Sequence, residues 1–347
     1  MASDLVDLSS DTATRPTPAM RRAIADAEVG DEQRREDPAV NRLEARVAET
    51  LGTESAIFLA TGTLCNNIAI AAHTRRGDAV LAERGSHIIR FEAAGSAMHA
   101  GVLVDQIDGN GGTFTATQLE GAFSAGSLYF PPTRLVCLEQ THNLAGGTIW
   151  PLEQWQDVCA TARRLGAAVH VDGARLFNAS VATGVPAKTW AASVDSIWVD
   201  FTKGLGAPIG AVLAGTAAFV EEARRVKHQF GAALRQAGIA AGGCLYALDH
   251  HVERLVEDHV NAARLASGLA ELGCHLDPAP QTNIIYFDPT PTGVGAAEFC
   301  AGLLEQGVRM GVVGSRVRAV THLDVSAADI ETALRVAAEV VGAAAIA

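Results

Sequence analysis

Short apolar runs, several rich in β-branched residues, alternate along most of the chain with longer segments whose apolar positions recur at helical spacing. The runs Ala56–Leu59, Ala79–Ala82, Val102–Ile107, Arg134–Glu139, Ala167–Asp172, Ser196–Phe201 and Gly210–Ala214 read as strands. Between them, Asp37–Leu51, Leu64–Thr74, Leu152–Leu165 and Ala217–His228 carry the helical period, and Asp37-Pro38 reads as an N-cap followed by proline at the first helical position. This alternation predicts an α/β sheet of mostly parallel strands, because each parallel pair needs a crossover long enough to hold a helix. After Gly243 the helical pattern continues almost without a breaker, so Gly238–Leu272 is expected to be one long helix linking two domains. Strands at Asn283–Phe287, Val308–Val313 and Val317–His322, with two further helices, then predict a smaller α+β unit. The expected division is a large domain over residues 1–250 and a small one over 251–347.

Composition narrows the class. Of the 347 residues 48% are hydrophobic and 19% charged, which suits a soluble chain with a sizeable core. A formal net charge of −12 argues against a general binder of nucleic acid or of an acidic membrane surface. A small anionic ligand stays compatible, since helix N-termini and local cations outweigh net charge. The six cysteines are scattered with no C-x-x-C pair, so they read as buried free thiols, and a reducing cytoplasm is the expected setting. No basic segment followed by an apolar one stands at the start, so no secretory signal is expected. The apolar C-terminal stretch is interrupted by Glu339 and is too short to span a bilayer.

Two segments carry the chemistry. Ser196-Ile-Trp-Val-Asp-Phe-Thr-Lys203 ends a hydrophobic strand with a lysine, and a Gly-Leu-Gly-Ala-Pro turn follows. A partly shielded amine there is favoured in its neutral form, which can attack a carbonyl. Ala168-Val-His-Val-Asp172 ends another strand with a carboxylate, at the edge where open α/β sheets bind ligands. Asp172 is either a turn residue capping the next helix or an anion facing a heteroaromatic nitrogen. A lysine and an acid of this kind are the minimum apparatus for pyridoxal phosphate (PLP). Gly62 and Thr63 open a helix after the strand ending at Leu59 and suit a phosphate monoester, although an ordinary helix cap looks the same. Arg175 lies one helical turn past Asp172. His87 and His142 each follow a strand, where an imidazole can stack on a ring, exchange a proton or be merely structural. Gly109–Gly112 reads as a turn. No His, Cys, Asp or Glu pair has metal-ligand spacing, and no G-x-S-x-G element of an α/β-hydrolase is present.

In combination these segments resemble the low-specificity L-threonine aldolases, a branch of the fold-type-I PLP enzymes related to β-eliminating lyases. The likeness runs from Asp7-Leu-Ser-Ser10-Asp-Thr12 to Val320-Thr-His322-Leu-Asp-Val325. Between them it takes in Gly30-Asp-Glu, Glu36-Asp-Pro-Ala-Val-Asn41, Thr61-Gly-Thr63, Thr141-His142-Asn143, Val171-Asp-Gly-Ala-Arg-Leu176, Thr202-Lys-Gly-Leu-Gly-Ala-Pro208 and Leu234-Arg-Gln-Ala-Gly238. The resemblance implies a PLP-dependent transferase-like α/β fold: a large domain with a mostly parallel sheet, an N-terminal segment reaching the active site, and a smaller α+β C-terminal domain. It implies Lys203 as the Schiff-base lysine, Asp172 at the pyridine nitrogen, Gly62 and Thr63 at the phosphate, and His87 stacked on the ring with His142 nearby. Ser10, Arg175 and Arg318 are then the substrate-carboxylate anchors, with Arg175 also among the cofactor contacts. Arg235 reaches the phosphate of a neighbouring subunit, so the expected assembly is a homodimer or homotetramer with shared sites. The implied partners are β-hydroxy amino acids such as L-threonine, L-allo-threonine and phenylserine-like compounds, with glycine and an aldehyde as products of a reversible cleavage. β-Elimination, transamination or racemisation on the same scaffold remain alternatives. Arg34 and His228 stand where many members have tyrosine and lysine, and are expected near the mouth of the site.

Overall fold

A computed structural model describes residues 5–344. The strands are β1 (Val6–Asp7), β2 (Ser55–Leu59), β3 (Ala79–Glu83), β4 (Leu103–Ile107), β5 (Thr133–Glu139), β6 (Ala168–Gly173), β7 (Ser196–Asp200), β8 (Ala211–Gly215), β9 (His275–Leu276), β10 (Ile284–Asp288), β11 (Val308–Arg309), β12 (Gly311–Val313) and β13 (Arg316–Val320). Seven of them form one sheet in the order β2-β8-β7-β6-β5-β3-β4, in which β8 alone runs against the rest. The inner strands β3, β7 and β8 are buried at every position, which explains their unbroken apolar runs: helices cover both faces. The fold is therefore α/β with a mostly parallel central sheet. Glu83, Glu139, Asp172 and Asp200 all stand at carboxyl ends of parallel strands, and the polar site collects there.

Local sequence sets the helix that matters most for the site. Thr61 caps the helix Gly62–His73, its hydroxyl accepting from the Leu64 N–H at 3.2 Å. Gly62 is needed for space: a Cβ there would fall 2.2 Å from the Trp198 indole.

A second core, built on the four-stranded sheet β12-β13-β10-β9 and the helices Leu255–Glu271, Ala296–Glu305 and Ala327–Ala344, also takes in Leu8 from the N-terminal segment. β1 pairs in parallel with β11, and the Val320 N–H donates to the Leu8 carbonyl at 2.8 Å. From β1 and Leu8 the chain thus leaves the second core and crosses to the first.

Two expectations are corrected. The long helix is two, Gly238–His250 and Leu255–Glu271. The break carries no glycine or proline. Its cause is tertiary: the His251 imidazole Nδ1–H donates to the Leu205 carbonyl at 2.7 Å, tying the turn to the Lys203 loop, and Arg254 then pairs with Asp258 at 2.7 Å. The strand over 308–313 is also divided, because β11 pairs with β1 while β12 pairs with β13. All six cysteines are free, five of them buried. Among the described residues no helix is long and apolar enough to cross a membrane.

Candidate active site

A cavity of about 360 Å³ opens at the carboxyl ends of β5, β6 and β7. Its lining includes Ser10, Gly62, Thr63, His87, Asp172, Arg175, Lys203 and Arg318, so eight of the ten predicted site residues meet at one place. The two outside it are His142 and Arg235.

Lys203 lies in the connection from β7 to β8, its Nζ 5.6 Å from the Trp198 ring centroid. Nζ donates to Asp200 Oδ2 at 2.7 Å, and Asp200 Oδ1 accepts from the Thr202 N–H and hydroxyl at 2.9 and 2.8 Å. Asp200 thus fixes the position of the Lys203 amine through this hydrogen bond. Asp200 was legible as the position three before Lys203, on the same strand face as Ser196 and Trp198.

Asp172 is buried and accepts from Asn66 Nδ2 at 2.9 Å and from the Ala174 N–H at 3.1 Å. Burial and the Glu139 carboxylate push its carboxyl up, against the His87 and Lys203 charges and the Asn66 hydrogen bond. No cationic side chain hydrogen-bonds to it among the described residues. It is a buried acid without a contacting cation.

The arginines differ in availability. Arg175 is buried and its Nε and Nη2 both bind Asp11 at 2.7 Å, so its bidentate edge is spent. Among the described residues Arg318 has no carboxylate partner: Nη1 donates to the Ser9 carbonyl at 3.1 Å, Nη2 to Asn143 Oδ1 at 2.9 Å, and the buried Nε has none. Burial and the nearby Arg175 charge lower its pKa, which marks a guanidinium short of negative charge. Ser10 caps the short helical turn Asp11–Ala13, its oxygen accepting from the Thr12 N–H at 3.2 Å and the Thr12 hydroxyl at 2.8 Å. Its own hydroxyl proton is thereby left for another acceptor.

Asp11 is a site residue that sequence reasoning passed over, although it adjoins Ser10. Burial pushes its carboxyl up, but the Arg175 charge and hydrogen bond, with Lys203 and Arg318 behind, hold it well below the ordinary carboxylate range. Since the folded value is the depressed one, the pair stabilises fully above the unfolded value of about 4, and the gain is lost as pH falls through the folded value. Asp11→Ala is expected to cost about 3–5 kcal/mol at pH 7, because it strands a buried guanidinium. Urea midpoints measured from pH 7 downward should show the gap from wild type narrowing below about pH 4. A gap of constant size across that range excludes the electrostatic account.

His87 lines the cavity, and its Nδ1 lies 2.8 Å from Glu92 Oε1. Burial lowers its pKa, but the Glu92 hydrogen bond and the Asp172, Glu92 and Glu139 charges outweigh this, and the net shift is upward. The neighbouring Phe91 ring, also lining the cavity, sits 5.4 Å from the imidazole. His142 is buried one layer further in: its Nδ1 accepts from the Ala145 N–H at 3.2 Å, and its Nε2 stands 3.0 Å from Glu83 Oε2. The cavity is reached instead by the next residue, Asn143. Although no metal-ligand spacing shows in the sequence, the fold gathers His87, Glu92 and Asp172 with ligand-type atoms within 4.8 Å of one another. Hydrogen bonds from Asn66 and His87 already engage these carboxylates.

Arg235 is exposed, in the connection before the helix Gly238–His250, and its Nη1 donates to Asp31 Oδ2 at 2.9 Å. Arg34 and His228 do not line this chain's cavity either, and Lys227 is buried, its Nζ donating to Glu32 Oε1 at 2.7 Å and to the Phe58 carbonyl at 2.8 Å. Of the two residues central to the hydrogen bonding, Asn66 carried no signal beyond its place on the predicted helix Leu64–Thr74, and Glu92 lay on no predicted element.

Known proteins resemble this chain along most of its length. The profile described as "Beta-eliminating lyase" matches residues 7–290. Low-specificity L-threonine aldolase 1 of Arabidopsis thaliana is 38% identical over 337 residues, covering 95% of this chain and 94% of its own. The low specificity L-threonine aldolase of Escherichia coli K12 is 38% identical over 326 residues, covering 93% and 95%. The threonine aldolase of Leishmania major superposes with a TM-score of 0.84 at 19% identity, covering 97% of this chain and 99% of that one. The chain therefore belongs to the beta-eliminating lyase family, with low-specificity L-threonine aldolases among its relatives.

Proposed function

We propose that this chain is a PLP-dependent aldehyde-lyase that cleaves the Cα–Cβ bond of β-hydroxy-α-amino acids such as L-threonine, reversibly releasing glycine and an aldehyde. The observation that carries this reading is the pairing, in one cavity, of Lys203 with a buried acid, Asp172, that no cation contacts. The relatives named above, alike along nearly their whole length, support the same substrate class.

The residues present suit the cofactor. Lys203 supplies the amine, Asp172 a buried acceptor for a ring N–H, and the helix start at Gly62 and Thr63 free backbone donors for a phosphate, with Gly62 keeping the approach open. His87 borders the space between them. When bound, PLP supplies the electron sink for the pair released as Cα–Cβ breaks.

The protein's part is orientation and proton transfer. Arg318, with Ser10 beside it, holds the substrate carboxylate, and this fixes which bond on Cα stands perpendicular to the sink. Arg175 contributes mainly by holding Asp11 and the N-terminal segment in place. Asp200 orients the Lys203 amine by accepting a hydrogen bond from its Nζ at 2.7 Å. A water held by the His87 imidazole accepts the β-hydroxyl proton as the aldehyde departs, and His142, behind Asn143, supports that wall of the site. Arg235, solvent-facing and outside its own cavity, supports the reading that it completes a neighbouring subunit's phosphate site in a homodimer or homotetramer. Six free cysteines support a cytoplasmic setting. The reading also keeps a large unit over 1–250 and a small one over 251–347, supported by the two hydrophobic clusters, although Leu8 joins the second cluster and Leu255 the first.

Incubation with L-threonine is expected to yield glycine and acetaldehyde in equal amounts. Pyruvate from L-serine, or ammonia in place of acetaldehyde, as the main product decides instead for elimination or amino transfer.

A further inference from the structure

Beneath the cavity a line of polar side chains, buried except for the half-buried His73, leads up to Asp172, and the proposed mechanism uses none of them but that acid. His170 and Asp172 on β6 stand in register with Ser196 and Trp198 on β7, and all four share one face of the sheet. The helix Gly62–His73 packs on these strands and adds Asn66 and, two turns on, His73. The contacts are continuous: His73 Nε2 to Ser196 Oγ at 2.8 Å, Ser196 Oγ to His170 Nδ1 at 2.8 Å, and His170 Nε2 to Asn66 Oδ1 at 3.1 Å. From Asn66, Nδ2 reaches Asp172 Oδ2 at 2.9 Å and Glu92 Oε1 at 2.7 Å.

The direction of every bond follows from one residue. An indole N–H can only donate, and Trp198 Nε1 lies 2.7 Å from Asn66 Oδ1, so that oxygen is the acceptor and Nδ2 faces both carboxylates. His170 Nε2 must then donate to the same oxygen. Burial, with the nearby His73, pushes the His170 pKa down to about 3, and burial pushes that of His73 down to about 4, so both rings are neutral. A neutral His170 that donates from Nε2 accepts at Nδ1, from the Ser196 hydroxyl, and the Ser196 oxygen in turn accepts from His73.

We propose that Asn66 is a positioning residue for the reaction, the hub of a one-way hydrogen-bond relay, His73 to Ser196 to His170 to Asn66, that holds the Asp172 carboxylate aimed at the cofactor's ring nitrogen. The proposal rests on the PLP reading above. Every donor to the Asp172 carboxylate is neutral, so its charge is supported without being cancelled and stays available to a ring N–H. Successive donors polarise one another in the same sense. Through Glu92, which binds His87 Nδ1, the same amide also sets the imidazole against the acid.

Equilibrium binding of PLP to the full chain, with the steady-state kinetics of the holoenzyme, tests the relay. Asn66→Leu keeps the bulk and removes the donors, and it is expected to weaken cofactor binding about 10- to 100-fold, the usual cost of losing a residue that orients a site from behind. kcat should fall with it while KM for the amino acid stays within about twofold, since the Arg318 clamp is untouched. Ser196→Ala breaks the relay two links away without touching Asn66, and should weaken cofactor binding about 2- to 10-fold in the same direction. It decides the matter if Asn66→Leu does not fold. A folded variant of either kind with a lower melting temperature but wild-type cofactor affinity and kcat overturns the relay. A wild-type chain that takes up no PLP at all fails the earlier reading instead.

Discussion

Lys203→Ala is expected to remove the visible absorbance of the lysine-bound cofactor and to lower turnover by at least about four orders of magnitude, or roughly 5 kcal/mol of barrier. Lys203 is the one lysine lining the cavity, and its Nζ is already oriented by Asp200. No neighbour can replace it. Arg175 and Arg318 remain charged at any usable pH, and the buried Lys227 is engaged with Glu32 and the Phe58 carbonyl. Borohydride reduction of the loaded wild-type chain followed by peptide mass mapping should find the label on Lys203. Label on a different side chain, or full activity in the alanine variant, removes the foundation of the functional reading.

Arg318→Ala is expected to lower kcat/KM by about 30- to 5,000-fold, the range for deleting one partner of a buried charge-assisted pair. The loss should appear in both parameters: KM rises because the carboxylate loses its partner, and kcat falls because a misaligned substrate presents the wrong bond. Arg318→Lys keeps the charge but not the planar fork, so it should recover KM better than kcat. The contrast with Arg175 sharpens the test. Arg175→Ala strands Asp11 and should show first as lost stability, whereas Arg318 gives up hydrogen bonds only to Ser9 and Asn143. Wild-type kcat/KM in Arg318→Ala excludes it from substrate binding.

The sheet was legible because its strands are short apolar runs between helical stretches. The strands read at Ala79–Ala82, Arg134–Glu139 and Ala167–Asp172 fall on β3, β5 and β6. Lys203 and Asp172 were legible for a related reason, as polar residues at strand ends mark the rim of an α/β sheet. What the sequence hid depends on partners far along the chain. The break after His250 is made by the Leu205 carbonyl, and the division of 308–313 by Val6 and Asp7, so no window around either segment shows it. Asp11 and Arg175 are 164 positions apart, and nothing near Arg175 announces that its fork is occupied. The polar face beneath the cavity was partly visible in the alternation of His170, Asp172, Ser196, Trp198 and Asp200 with valine and isoleucine. Those alternations read as strand faces, and only the helix laid across them joins them through Asn66.

The parallel pairing of Val6 and Asp7 with Val308 and Arg309 bears on how the protein is made. During synthesis Val6 and Asp7 lack their strand partners until positions 308 and 309 have been made, and Lys203 precedes Arg318 by 115 positions. At ribosomal speeds of about 5–20 residues per second, that interval lasts roughly 6–23 s. During translation Lys203 therefore exists before Arg318, and the cavity that both line closes around them only once position 318 has been made.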